Sequence, residues 1–126
     1  MRRSGCKVVK YNEGLSDAIF ELMFETLWVA PYDRRRRDVV WREFDRCARK
    51  AVAVLSVSDL DALPDGRAAE LGRTMELFLR SVERVDEACL FPGMPGRLAV
   101  AQAHAICVEI YARCPAAKPE RAETVG

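Results

Sequence analysis

The stretch Ala68–Cys89, AAELGRTMELFLRSVERVDEAC, decides the fold. Its apolar residues Ala68, Leu71, Met75, Phe78, Val82, Val85 and Cys89 follow one another at alternating steps of three and four, the spacing of a helical seam that packs against a neighbouring helix. Glu76 and Arg80 flank the seam four apart with the acid first, an orientation that supports a helix by a few tenths of a kcal/mol. Gly72 is less suited to a helix interior than alanine by about 1 kcal/mol. The pattern leaves open whether it is a weak point or a place where another helix approaches closely.

Upstream, Leu15 to Trp28 is apolar at Leu15, Ala18, Ile19, Phe20, Leu22, Met23, Phe24, Leu27 and Trp28, while Asp17, Glu21 and Glu25 recur every four residues. This reads as a helix with one narrow acidic stripe and an apolar arc over more than half its circumference. Such a helix is either the centre of the core or part of an interface. Ala30-Pro31-Tyr32 breaks the pattern, and Asp33 is placed to cap a second helix that begins near Arg34. Val40, Trp41, Phe44, Cys47, Ala48, Ala51, Val52 and Leu55 form its apolar face, and Arg35, Arg42, Arg46 and Arg49 lie opposite. The connector Ser58 to Gly66 offers two caps and room for one short turn.

Downstream of the seam, Leu90-Phe91-Pro92-Gly93-Met94-Pro95-Gly96 is a loop, because two prolines and two glycines in five residues exclude regular structure. Its apolar members Leu90, Phe91 and Met94 either fold back on the bundle end or form an exposed patch. A fourth helix, about Arg97 to Cys114, is alanine-rich with Gln102, Glu109 and Arg113 on one line, and is expected to be largely buried with His104 inside. The expected architecture is therefore all-α, a single-domain bundle of about four helices over residues 1–114, with 1–11 as a basic, short extended N-terminal arm and 115–126 as a disordered tail. The length of 126 residues suits one compact domain.

No stretch approaches the roughly 20 apolar residues that cross a bilayer, and the N-terminus lacks the apolar core of a signal peptide. Five cysteines at irregular spacing, with no Cys-x-x-Cys pair, fit a reducing cytoplasm. Phosphate-loop, dinucleotide, hydrolase-elbow and zincin motifs are absent from the sequence. His104 and Cys107, one helical turn apart and with Cys114 and Cys89 in range, have the residue types of a zinc site or of a thiol–imidazole pair. The plainer expectation is a core histidine among small apolar cysteines, with no cofactor and no metal. Asp59 with Asp61 and Asp86 with Glu87 are expected to be solvated. An enzyme is not expected.

Charge is informative only by segment. The total of 20 basic and 19 acidic side chains leaves +1, which selects no partner. Residues 13–30 carry four acids and no base, whereas residues 34–50 carry eight bases and three acids. Helices of opposite charge complement each other within a chain or across a dimer. The expectation that follows is a small regulatory protein that binds and inhibits or sequesters another protein, such as a transcription factor or a nucleoprotein complex, and forms a homodimer. Its expected contact residues are Leu15, Ile19, Leu22, Met23, Phe24, Leu27 and Trp28, joined by Arg34, Arg35, Arg36, Arg37 and Arg42. The alternative is a small DNA- or RNA-binding regulator that uses the same arginines. A ligand- or metal-binding bundle around His104 is the third class.

Overall fold

A computed structural model describes residues 11–26, 34–91, 93–94 and 97–119, with the side chains of 34–38 outside the description. Four α-helices follow one another: α1 (Glu13–Thr26), α2 (Arg34–Ser56), α3 (Asp65–Glu87) and α4 (Leu98–Arg113). Short 3₁₀ turns follow α2 at Leu60–Ala62 and α4 at Pro115–Ala117, and the described residues include no strand. The expected all-α bundle is the observed one. Contacts close a ring in which α1 meets α2 and α4, and α3 meets α2 and α4, with the α2–α3 pair the most extensive. Residues 1–10 of the expected arm lie outside the described residues.

The α3 seam supplies one wall of the core. Ala68, Leu71, Met75, Phe78, Val82 and Val85 are each fully buried. Cys89, the last member of the expected seam, is exposed instead, because the helix has already ended. Its backbone sits at φ 60°, Cys89 N–H donates to the Asp86 carbonyl and Leu90 N–H to that of Val85. Those two bonds are a Schellman cap, and its left-handed residue is usually glycine. Leu90 is thereby turned back onto the bundle with Phe91 and Met94, all three buried, so among the described residues the loop closes the core and leaves no apolar patch there. The Phe91 ring meets Phe44 edge-on at 5.8 Å, and Phe44 lies 6.4 Å from Phe78. Such aromatic pairs add about 1 kcal/mol each beyond the area they bury.

Polar groups fix how the ends meet. Asn12 has a left-handed backbone, φ 58°, and its amide donates to the carbonyl of Leu55 at 2.8 Å, which also accepts from Ser58 N–H, and to that of Ser58 at 2.9 Å just past the end of α2. Arg113 at the end of α4 donates to the Asn12 side-chain oxygen at 3.2 Å. One residue therefore ties three helix ends. At the other end of α1 the Trp41 indole donates to Thr26 Oγ1 at 2.7 Å, and Thr26 donates to the Met23 carbonyl.

Two expectations about the C-terminal part change. Helix α4 is only half buried: Ala99, Ala103, Ile106, Cys107 and Ile110 face the core, but Ala101, His104, Ala105, Val108 and Ala112 face solvent. His104 is on the outside, because α3 and α1 cover a different side of α4 from the one the line of Gln102, Glu109 and Arg113 suggests. Order also continues past Pro115: Ala117 is buried against Gly72, and a Cβ on that glycine would collide with the Ala117 carbonyl. Gly72 marks a close approach, made by this 3₁₀ turn and not by a helix.

Candidate functional site

Helix α1 divides its apolar residues between two tasks. Leu15, Ile19, Leu22 and Met23 are buried and complete the core, so these four expected contact residues are not available to a partner. The reason is the ring: α2 and α4 flank α1 and take up most of its broad apolar arc. Phe20 and Phe24 remain outside, 38% and 59% exposed, with rings stacked at 6.4 Å and inclined by 25°. Residues four apart on a helix stand one above the other, so the pair forms a continuous ridge. Asp17 and Glu21, also four apart and exposed, run beside it and line the same shallow hollow. Glu25 is held elsewhere, accepting a hydrogen bond from the Gly93 backbone at 3.0 Å. Leu27 and Trp28 lie outside the described residues.

The sequence singled out Phe24 and passed over Phe20 as a contact residue. Its signal was present: Phe20 sits four residues before Phe24, on the face that carries Asp17 and Glu21.

Arg34, Arg35, Arg36 and Arg37 belong to the first turn of α2, and their side chains lie outside the description. Arg42, Arg46, Arg49 and Lys50 are exposed on one face of α2. The complementarity expected between acidic α1 and basic α2 is not realised as an ion pair among the described residues. Instead Asp45 of α2 holds Arg49 at 3.0 Å, and Glu43 holds Arg84 of α3 at 3.0 Å. The paired carboxylates have structural partners as well: Asp61 lies 3.6 Å from Arg113, Asp86 4.0 Å from Arg97, and Asp59 accepts from the Asp61 backbone.

The groove between α3 and α4, about 430 Å³, has Leu79, Cys107, Val108 and Tyr111 among its walls and His104 and Glu83 at its rim. Burial pushes the Cys107 thiol up to about 11, partly offset by a hydrogen bond from the Tyr111 side chain. At neutral pH Cys107 is therefore a protonated thiol, which is a poor nucleophile. His104 and Cys107 line the same groove, but one faces solvent and the other the core. No group of three or more His, Cys, Asp or Glu side chains among the described residues is placed to hold a metal ion.

No protein-family model matches the chain, and comparison with curated proteins and with solved structures gives no match. Among the described residues no helix is long and apolar enough to cross a membrane. Fold and surface together define a four-helix bundle that presents an aromatic ridge beside acidic side chains on α1, a basic face on α2 and a half-covered α4.

Proposed function

We propose that this protein is a small, non-enzymatic regulatory protein that acts by binding another protein through the exposed face of α1, inhibiting or sequestering it. The observation that carries this reading is the stacked Phe20–Phe24 ridge. Two large aromatic side chains stacked at the surface stand outside the buried core, and aromatic anchors of this kind dominate interface energies. Asp17 and Glu21 beside the ridge select a partner surface that combines apolar and basic groups. They also disfavour a second copy docked face to face, since its own acids would meet them. A transcription factor or a nucleoprotein complex offers basic surface of the required kind. Free thiols at Cys47, Cys89, Cys107 and Cys114 are consistent with a reducing cytoplasm.

The test is a side-by-side capture from the native host with the wild-type chain and Phe24→Asp. The exposed site tolerates the change, so both fold. A genuine partner is retained by wild type and depleted at least about tenfold by the variant, the loss expected on removing an aromatic hot spot. Equal retention by both sinks the assignment to α1. A second reading, binding of DNA or RNA through Arg42, Arg46, Arg49 and Lys50, rests on their shared exposed face. It predicts a gel shift near 50 mM salt that weakens steeply as salt rises, and no shift at low salt removes it.

A further inference from the structure

The groove between α3 and α4 is bounded at one end by the chain's own backbone: Lys118 and Pro119 belong to its wall, beside Tyr111 and Val108. Their position is fixed by the turn before them. Ala117 is buried against Gly72, Ala117 N–H donates to the Cys114 carbonyl, and Lys118 N–H donates to that of Pro115. Lys118 then has φ −68° and ψ 133°, an extended conformation of the polyproline type. Proline at 119 favours its continuation, because the ring holds φ in the same range. Met75 accepts from Cys107, and Asp86 pairs with Arg97, so α3 and α4 run antiparallel. The groove therefore leads from the Gly72 end of α3 towards Arg80 and Glu83, with His104 on the opposite wall.

We propose that the segment Glu120-Arg121-Ala122-Glu123 occupies this groove as an extended strap lying over Leu79, between Arg80 and His104. Reach and charge both support that occupant. Counted from Gly72, Arg80 is about 12 Å and Glu83 about 17 Å along α3, at a helical rise of about 1.5 Å per residue. Counted from Ala117, which touches Gly72, Glu120 is about 9 Å and Arg121 about 12 Å along an extended path of about 3.1 Å per residue. Glu120 thus arrives level with Leu79 and Arg80, and the long Arg121 side chain reaches the remaining distance of about 4 Å to Glu83. Each of the two charges meets its opposite. Arg80 is exposed and Glu83 half-buried, so both stand at the surface for such pairing, and Leu79 is half-buried and gains cover from the strap. A small molecule or a partner segment enters the groove only by displacing these residues, so access to it is regulated from within the chain.

Nitrogen-15 relaxation of the 126-residue chain tests this directly. Backbone order parameters of Glu120 to Glu123 are expected near the value of about 0.85 found in rigid backbone, and nuclear Overhauser contacts are expected from Glu120 to the Leu79 methyls and the His104 ring. Arg80→Glu sets like charges together and should lower those order parameters towards about 0.6, with an unchanged circular dichroism spectrum because residue 80 is exposed. Adding Glu120→Arg to that variant restores the opposite pair and should raise them again. Wild-type values below about 0.6, order without the contacts to Leu79 and His104, or values indifferent to Arg80→Glu overturn the proposal. So does a double variant that fails to recover them. Phe24 is untouched by these variants, so their outcome leaves the reading of α1 standing or falling on its own test.

Discussion

Replacing Gly72 with alanine sets a local preference against a tertiary contact, and the structure decides the sign. Within a helix interior, glycine to alanine is worth about 1 kcal/mol of stabilisation. At Gly72 the new methyl would overlap the Ala117 carbonyl, a backbone atom that has no rotamer to escape into. The 3₁₀ turn Pro115–Ala117 must then shift or leave. Leaving exposes the Ala117 methyl, about 0.8 kcal/mol. It also strains or frees the bonds Ala117 N–H to the Cys114 carbonyl and Lys118 N–H to that of Pro115, about 1 kcal/mol each. The cost is therefore capped near 3 kcal/mol, and after the helix gain the net destabilisation is about 1–2 kcal/mol. For a chain of this size that lowers Tm by about 4–8 °C. Gly66 lies near the start of α3 with open space where its Cβ would be, so Gly66→Ala removes a glycine from the same helix at no steric cost. It should raise Tm by a few degrees at most. Thermal unfolding followed by circular dichroism reads both. A Gly72→Ala protein as stable as wild type, or more so, refutes the reasoning, because it means that the turn does not press on α3.

The remaining expectations concern the caps and the thiols. Asn12→Ala should cost about 3 kcal/mol in urea denaturation, about 1 kcal/mol for each of two lost bonds to the end of α2 and about 1 kcal/mol for a left-handed backbone that alanine resists, whereas Asn12→Gly, which loses the bonds alone, should cost about 2 kcal/mol. Cys89→Gly should stabilise by up to about 1 kcal/mol, since Cys89 holds the left-handed position of the α3 cap, and a loss of stability would contradict that geometry. For Cys107 the raised thiol value means that the folded state keeps its proton after the unfolded chain has lost it. Stability is then unaffected below pH 9 and falls by about 2 kcal/mol as pH rises from 9 toward 11. A Cys107→Ala variant should lose most of that slope. At pH 7–8 a thiol reagent should modify exposed Cys89 well before buried Cys107, which mass spectrometry of the labelled peptides checks.

What the chain determines locally is readable without coordinates. The steps of three and four from Ala68 to Val85 and from Val40 to Leu55 specify two helices and the face each buries, because a helix returns a side chain to the same side at that interval. Proline and glycine in the 90–96 loop, Pro31 and the acids of the Ser58 to Gly66 connector likewise place the breaks. Which of several apolar faces meets a neighbour is another matter. Helix α1 has apolar residues around most of its girth, and only the arrangement of α2 and α4 beside it puts Ile19 inside and Phe20 and Phe24 outside. Helix α4 is apolar on both sides, so its pattern holds no preference between burying His104 and exposing it. Gly72 is a glycine at a weak helix position in one dimension and a contact point for Ala117 in three. The physical reason is common to all three cases: periodicity encodes the helix, but when the apolar arc is wider than any one contact, the choice of covered face belongs to the packing of the other helices.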